Sequence, residues 1–297
     1  MLQPSLENSV ETDNSESLTV EQAIANLQGN DQGLRYYAAW WLGKFRVREP
    51  VAIDALIAAL EDQQNQTELG GYPLRRNAAR ALGKLGDHRA VPALIDCLDC
   101  PDFYVREAAV QSLAMLEDRS CIPKLIKLLD GGLEAAEPIP GSPHLAQPYN
   151  AVIEALGDLG VTEAIDLIEI FLEHPNQLEQ YAAARAMYQL TQNPTYVERL
   201  IKALSANQVQ LRRAALSDLG AIGYLPAADA IAKTWAENSL RLIALKGILE
   251  HYLESHPTDG CYLSETAIRI MNLMDGLLWS VKDKVSQMKK QVWNNFR

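Results

Sequence analysis

The sequence is poor in cysteine, in aromatic residues and in basic charge. Of 297 residues, four are cysteines and 7% are aromatic, and 27 Lys and Arg stand against 38 Asp and Glu, a formal charge of -11. Four cysteines in a chain of this length are too few for a disulfide framework. A net acidic surface argues against sequence-independent nucleic-acid binding, which needs clustered cations. No run reaches the roughly 18 uncharged apolar residues of a bilayer span, so we predict no membrane span.

Standard signatures of catalysis, metal binding and targeting are also missing. The sequence has no GxSxG, HExxH, P-loop or GxGxxG motif. Cys97 and Cys100 form a single CxxC with no second pair, which favours helix packing over a zinc site, and we predict no metal. The first basic residue is Arg35, so neither a signal peptide nor a transit peptide is expected and we predict a cytoplasmic location.

What the sequence does contain is an internal repeat. An Arg is followed by Ala three residues later, by Leu after seven and by a small residue after eight; we call this Arg, or its equivalent, the register residue. Arg35, Arg75, Arg106 and Arg212 are the register residues of four full copies, and degenerate copies that keep only part of the pattern begin at Tyr149, Gln180 and Arg241. Each run precedes a second apolar-periodic segment, which is typical of a helix pair. We therefore predict an all-α fold, a right-handed α-solenoid of about seven short HEAT-like helix-pair repeats, curved with a concave face.

The spacing of the repeats also predicts the domain organisation. Residues 1–18 are acidic and polar, which predicts a disordered tail, and residues 19–257 form the solenoid. Two long steps between repeats mark insertions at 62–73 and 130–148, and loops of this length are usually functional or disordered. Residues 258–297 leave the register and are predicted to be a helical extension, amphipathic and basic at its end, that caps the solenoid or binds a partner.

The arginines divide into two groups. The register arginines share one position, which favours a structural role between repeats, with acids such as Asp102 or backbone carbonyls as their partners. Arg76 and Arg213 each follow a register Arg and are not required by the repeat. They are candidates to bind anionic groups of a ligand, and a solvated surface role is the equally weighted alternative.

Aromatic residues cluster at the start of the solenoid. Tyr36 and Trp40, and likewise Tyr37 and Trp41, are four residues apart, so each pair lies on one stripe of a helix. The two stripes are about 100° apart, and one helix cannot easily bury both. At least one pair is therefore predicted to face a ligand or a partner.

Further tyrosines lie beside arginines at the heads of successive first helices. Such a row could hold a flat, conjugated dicarboxylate by ring stacking and bidentate ion pairs, and ordinary packing at helix starts is the alternative for any single residue. The predicted substrate-binding residues are Trp40, Trp41, Tyr72, Arg75, Arg76, Tyr104, Arg106, Tyr149 and Arg213.

Several of these segments resemble a known family. Tyr-Tyr-Ala-Ala-Trp-Trp at 36–41 and Gly-Gly-Tyr-Pro-Leu-Arg-Arg at 70–76 are similar to segments of the E/F-type phycobilin lyases, and so are 102–107, 147–149 and 210–215. The resemblance covers roughly residues 19–255 and is to the E-type chain.

The resemblance implies a heterodimer with an F-type lyase subunit in a cyanobacterial cytoplasm. The pair would attach phycocyanobilin by a thioether to a cysteine of the phycocyanin α subunit, with removal or transfer as related activities. Phycocyanobilin is then the substrate, and no cofactor is expected. The nucleophile would be the thiolate of the acceptor protein, adding to the ethylidene group of the bilin.

Within that reading, our own inference assigns roles to residues. Arginines would hold the propionates, aromatic rings would stack on the pyrroles, and Glu107 and Asp218 are the candidates for the pyrrole nitrogens and hence for catalysis. Two other functions remain open: a non-catalytic HEAT-repeat adaptor or chaperone that binds phycobiliproteins, and a phycobilisome-degradation factor that detaches bilin.

Overall fold

The structure, a computed structural model, describes residues 18–141, 144–257 and 263–278. The helices are α1 (Val20–Gln28), α2 (Gln32–Lys44), α3 (Pro50–Ala59), α4 (Pro73–Leu85), α5 (Val91–Asp96), α6 (Phe103–Leu116), α7 (Ile122–Lys127), α8 (Gly132–Ala135), α9 (Tyr149–Asp158), α10 (Ile165–Glu169), α11 (Gln177–Thr191), α12 (Thr195–Ala203), α13 (Val209–Ala221), α14 (Ala228–Lys233), α15 (Asn238–Ser255) and α16 (265–278). In these ranges the only β contact is one antiparallel bridge, Pro138 to Leu145. None of the described helices is both long and apolar enough to span a bilayer.

The helices alternate as first and second members of pairs. The first helices, which carry the register residues, are α2, α4, α6, α9, α11, α13 and α15, and each packs on the next in this order. The second helices α3, α5, α7, α10, α12 and α14 are shorter, and each packs on the first helix of the following pair. The predicted all-α solenoid of helix pairs is confirmed.

Small residues let successive first helices approach closely. A Cβ added to Gly43 would lie 2.7 Å from the Ala81 Cα, and one added to Gly83 would lie 2.8 Å from the Ser112 Cα. Ser112 also donates a hydrogen bond across the same contact to the Ala79 carbonyl, at 2.8 Å. The small residue eight positions after the register residue is therefore required by the spacing of the layer.

Two clusters of buried residues form the core. The first extends from α1 to one side of α11 and includes Ala183 and Ala186. The second starts on another side of α11 with Tyr181 and Ala184 and continues to α16. Helix α11 belongs to both clusters and links the two halves of the solenoid.

The start of the solenoid is defined by a capping box. The Thr19 hydroxyl accepts from the Gln22 backbone N–H at 3.2 Å, and the Gln22 side chain accepts from the Thr19 N–H at 3.0 Å. These two bonds satisfy donors that the helix itself leaves free. Helix α1 then packs on α2 and α3.

The first insertion closes on itself and on the next repeat. The Thr67 N–H donates to the Gly71 carbonyl at 2.8 Å, and Gly70 adopts the left-handed region at φ 82°. The Tyr72 N–H then donates to Asp102 Oδ2 at 2.6 Å. The insertion is therefore a shaped turn that sets the start of α4 against the start of α6.

The second insertion is bound to the body at several points. His174 Nε2 lies 2.9 Å from the Ala136 carbonyl, and Arg106 donates to the Ala146 carbonyl at 2.8 Å. The insertion also lines a cleft of about 620 Å³ with the head of α11. Its described part is therefore a folded loop.

The predicted termini lie mostly outside the described residues. The acidic tail 1–18 is outside them except for Leu18. In the extension 258–297 the structure describes 263–278, where α16 buries Ile270 and Leu277 in the second cluster. The basic segment 279–297 lies outside the described residues.

Candidate functional site

Two nominated arginines are bound to backbone carbonyls between repeats. Arg75 Nε donates to the Asp62 carbonyl at 2.6 Å, and Arg106 Nη1 donates to the Cys100 carbonyl at 2.6 Å. Hydrogen bonds from a charged donor to a part-buried carbonyl are among the stronger ones in proteins. The geometry thus supports the structural role inferred for the register position, and the predicted contact of Arg75 and Arg106 with substrate stays a prediction.

Two further register arginines also bind groups outside their own helix. Arg35 pairs with Asp62 at 2.7 Å, and Arg212 donates to the Ala206 carbonyl at 2.6 Å. Asp102, which the sequence suggested as an arginine partner, instead accepts from the backbone N–H groups of Tyr72 and Tyr104, at 2.6 and 2.8 Å. Its two oxygens join two helix starts, while its charge still favours the ionised form of Arg106 against the effect of burial on that pKa.

Arg76 differs from its neighbour Arg75. Its guanidinium carbon lies 5.5 Å from the centre of the Tyr104 ring. Among the described residues its Nε is buried and without a hydrogen-bond acceptor. The Tyr104 ring is 40% exposed and meets the His144 ring edge-on at 4.7 Å. Arg76 and Tyr104 therefore form a cation–π pair that is open to solvent and has binding capacity left.

Two of the nominated tyrosines are buried. Tyr149 is 2% exposed, packs on Phe171 and donates to the Ala135 carbonyl at 3.1 Å. Tyr72 is also buried, under the Arg75 guanidinium at 4.3 Å. The structure gives both rings packing contacts at helix starts, while Tyr104 is the ring that faces outward.

The aromatic residues of α2 lie where the sequence argument requires. Tyr36, Tyr37 and Trp40 are exposed, and Trp41 is half-buried. The rings pair differently from the predicted spacing: Tyr37 meets Trp40 at 5.4 Å, and Trp41 meets Phe45 at 4.7 Å. The helix does not bury both stripes, and Trp40 remains available beside the first repeats.

Arg213 lies at the other end of the layer from Arg76. It forms an exposed ion pair with Glu237, and this contact lowers the pKa of that carboxyl to about 2. The structure therefore does not bring Arg213 together with the other nominated arginines.

A row of charged residues crosses the middle of the layer. The position five residues after the register residue carries Arg80 in α4, Glu154 in α9 and Arg185 in α11. Arg80 pairs with Glu107 at 3.8 Å, and Glu154 pairs with Arg185 at 3.2 Å. Burial and the charges of its neighbours, Glu107 among them, raise the pKa of Glu154. The charge of Glu107 therefore connects the Arg80–Glu107 pair with the Glu154–Arg185 pair, and the nominated Glu107 belongs to the row.

Arg185 is the centre of a buried ion network. Its guanidinium contacts Glu154 and Asp158 of α9, the latter at 2.7 Å, and Asp218 of α13 at 3.7 Å. We call these four residues the Arg185 cluster. The Arg185 and Asp218 side chains are only 9% and 7% exposed, whereas about a third of Glu154 and Asp158 is exposed. The cluster thus has a closed side and an open side.

Buried carboxyl groups here hold protons more tightly than usual. Burial, with the charge of Glu154, raises the pKa of Asp218 well above its usual range, although Arg185 opposes the effect. Glu179, in the first turn of α11, is 5% exposed, and burial with the charge of Glu154 raises its pKa to about 7. Groups with such pKa values can exchange protons at neutral pH.

Asp218 and Glu107 are the members of this network that the sequence pattern indicates. Glu154, Asp158, Glu179 and Arg185 do not follow from the motifs. The sequence does contain a signal for two of them. Charged side chains recur five residues after the register residue, at a position that borders the alanine-lined contacts of the layer. Comparing that position across repeats would have found Glu154 and Arg185.

The described cysteines are poor nucleophiles. Cys97, Cys100 and Cys121 are buried. Burial raises the pKa of the Cys97 thiol to about 12 and that of Cys121 to about 11. A thiol with such a pKa is hardly ionised at neutral pH. Within the described residues, no group of three or more His, Cys, Asp and Glu side chains could hold a metal ion.

Models of two repeat families match the chain. The model of HEAT repeats matches residues 20–114 and 66–133. The model described as the PBS lyase HEAT-like repeat matches residues 179–206. Both agree with the helix-pair architecture.

Whole-chain relatives are similar over most of the length. The phycocyanobilin lyase subunit alpha of Nostoc sp. PCC 7120 is 64% identical over 278 residues, which cover 94% of this chain and 100% of the relative. The bilin biosynthesis protein PecE of Mastigocladus laminosus is 47% identical over 238 residues, 80% of this chain and 83% of that protein.

A solved structure has the same fold. It is the complex of CpcE and CpcF of phycocyanin lyase from Nostoc sp. PCC 7120, one chain of which is 64% identical and matches with a TM-score of 0.82. The match covers 92% of this chain and 100% of that one.

Proposed function

This chain belongs to the family of phycocyanobilin lyase α subunits, and from that premise we propose that it attaches phycocyanobilin to a cysteine of the phycocyanin α subunit. It is one subunit of a lyase, and its partner is an F-type subunit like the one in the complex of its Nostoc relative. Phycocyanobilin is the substrate, and the reaction as proposed uses no resident cofactor. The site of action is the cyanobacterial cytoplasm.

The exposed face of the first helices is the proposed binding surface. One observation carries this assignment: the Arg76 guanidinium lies 5.5 Å from the centre of the exposed Tyr104 ring, so a cation and a flat ring stand together on this face. A bilin has flat pyrrole rings and two propionates, which suit stacking on Tyr104 and pairing with Arg76. Trp40, two helices away, offers a further ring.

The thiol of the acceptor protein is the proposed nucleophile. The buried thiols of Cys97 and Cys121 have raised pKa values, and both are covered by packing. A thiolate supplied by the acceptor does not require the ionisation of a buried thiol of this chain. This chain would then contribute positioning, which is the largest effect available to a scaffold without a nucleophile of its own.

The first experiment compares Arg76→Ala and Arg75→Ala in the heterodimer. Arg76→Ala should raise the bilin concentration needed for half-maximal binding about tenfold or more, because a charged contact is lost. Its melting temperature should stay close to that of the unchanged chain. Arg75→Ala should instead lower the free energy of unfolding by roughly 2 kcal/mol, because its carbonyl partners lie between repeats. Visible absorption of bound bilin and thermal unfolding measure the two effects.

Arg48→Ala, at an exposed position outside the proposed surface, is the matched control and should change neither quantity. Unchanged bilin binding and attachment after Arg76→Ala would contradict the assignment. A heterodimer that binds bilin but only removes it from pigmented phycocyanin would favour the degradation factor, and one that binds phycobiliprotein without bilin would favour the adaptor.

A further inference from the structure

The Arg185 cluster has an unbalanced charge. One guanidinium faces three carboxyl groups, from Glu154 at 3.2 Å, Asp158 at 2.7 Å and Asp218 at 3.7 Å. Asp158 also accepts a hydrogen bond from the Gln189 amide at 2.8 Å. A single cation cannot keep three neighbouring carboxyl groups ionised in a partly closed site, so one of them retains a proton.

Distance and burial identify the group that retains the proton. Asp218 is the farthest of the three from the guanidinium and the most buried, whereas Glu154 and Asp158 reach solvent. Desolvation is therefore greatest at Asp218, and compensation by Arg185 is weakest there. The raised pKa of Asp218 agrees with this geometry.

A second buried group points to the same place. Glu179 is only 5% exposed, and its Oε2 has no hydrogen-bond partner among the described residues. The charge of Glu154 contributes to the raised pKa of Glu179, which places the two carboxyl groups within electrostatic reach of each other. Arg185 Nε is likewise buried without an acceptor in the described part of the chain. Buried polar atoms without partners call for an explanation, and proton exchange or ligand binding at this place is one that the geometry allows.

The open side of the cluster adjoins the proposed binding surface. Glu107 raises the pKa of Glu154 by its charge and pairs with Arg80 at 3.8 Å. Arg80 lies four residues after Arg76 on α4, so both arginines project from the same side of that helix. Glu154 is thus the point at which the buried cluster reaches the surface that holds Arg76 and Tyr104.

We propose that the Arg185 cluster is the proton source of bilin attachment, in which Asp218 stores the proton and Glu154 delivers it. This inference rests on the proposed function. The acceptor thiolate forms a carbon–sulfur bond to the ethylidene carbon, and the electron pair of the exocyclic double bond moves to the adjacent ring carbon. Asp218 passes its proton to Glu154, which is ionised at rest, and the ring carbon then takes the proton from Glu154. The proton released when the acceptor thiol ionises returns to the cluster, so no other reactant is consumed.

Helices α11, α12 and α15 pack on α13, which carries Asp218, and each has charged groups; α9 adds two more. From α11 these are Arg185 and Tyr181, whose own pKa is raised in part by Asp218. From α9 they are Glu154 and Asp158. On α12, Arg199 donates to the Gln180 side chain at 3.2 Å and adds a charge near Tyr181. On α15, Lys246 and Glu250 pair with each other. Arg185 is therefore the cation in direct contact with Asp218.

The test is the pH profile of attachment by the heterodimer with the Asp218→Asn variant. The unchanged lyase should lose activity as the pH rises through the range in which the stored proton is lost. Asp218→Asn should slow attachment about tenfold or more at neutral pH and remove that alkaline decrease, while bilin absorption and association with the F-type subunit stay unchanged. Glu154→Gln should reduce the rate at every pH. Glu163→Gln, an exposed residue after α9, is the matched control.

An unchanged rate and pH profile for Asp218→Asn would overturn the proposal. So would a uniform loss of rate with a lower melting temperature, because that result marks a purely structural network. If Asp218→Asn does not fold, carbon-13 NMR of aspartate-labelled protein replaces it: one carboxyl should titrate above about pH 7, and titration of every aspartate below about pH 6 refutes the idea. If the unchanged heterodimer fails to bind or attach bilin, the proposed function itself is at fault.

Discussion

At the scale of residues, adjacent arginines have different functions. Arg75 and Arg76 follow each other on α4, and one residue rotates the side chain by about 100° around the helix. Arg75 therefore points to the edge where the Asp62 carbonyl lies, while Arg76 points to the face that carries Tyr104. The identity of the residue decides its charge, and the helical position decides its partner.

Glu179 allows a prediction on pH and stability. The pKa of this carboxyl is about 7 in the folded chain against an ordinary 4.5, so the folded state holds a proton that the unfolded state releases between these values. Stability from this group is complete below about pH 4.5 and is lost as the pH rises through about 7. The difference corresponds to roughly 3 kcal/mol.

The free energy of unfolding of the unchanged chain should decrease between pH 5 and pH 9. We expect the decrease to be smaller in Glu179→Gln, by on the order of 2 kcal/mol. Urea unfolding at a series of pH values measures it, with Glu163→Gln as the exposed control. Parallel pH curves for all three chains would show that Glu179 ionises normally.

At the scale of elements, the first helices are held by spacing more than by any single bond. Gly83 faces Ser112 at a distance that leaves no room for a side chain, since an added Cβ would lie 2.6 Å from the Ser112 Oγ. The same position is Gly in α2, α9 and α13, and it is Ala in α6. In α11 and α15 the position holds Tyr188 and Leu249, so the requirement for a small residue applies to the other first helices.

Gly83→Ala should destabilise the chain by about 1–3 kcal/mol, because the added methyl group overpacks the contact between α4 and α6. Gly276→Ala is the control, since Gly276 is helical and an added Cβ there meets nothing within 4 Å. That change should be neutral or stabilising by up to about 1 kcal/mol. Thermal unfolding of both variants measures the effect. Equal melting temperatures would mean that α4 and α6 move apart to accommodate the methyl group without loss of stability.

At the scale of the whole molecule, neighbours in sequence are neighbours in space. Each first helix packs on the next, from α2 to α15, so the chain extends along one direction as it folds. A compact domain of 297 residues would have a radius of gyration of about 19 Å. The proposed binding surface runs along this extended layer and is not enclosed within a globular core.

Small-angle X-ray scattering of the isolated chain should therefore give a radius of gyration clearly above about 19 Å, with an asymmetric distribution of interatomic distances. A chain beginning at Leu18 separates the contribution of the first 17 residues. A value close to that of a globule for the shorter chain would contradict the solenoid. Addition of the F-type subunit should increase the value further.

The repeated register was sufficient to predict the helix pairs and the positions of both insertions. These features depend on interactions within about 20 residues, such as the period of apolar residues and the small residue that each helix contact requires. The same pattern predicted that the register arginines join repeats. The pattern does not indicate which of these arginines would also contact substrate.

Only the tertiary structure brought Glu154, Arg185 and Asp218 into contact, because they come from three helices and are about 30 residues apart in sequence. It also covered Tyr149 while leaving Tyr104 exposed, although both lie near helix starts. Periodicity fixes which side of a helix a residue occupies. Burial, and the pKa values that follow from it, depends on what the neighbouring helix places against that side.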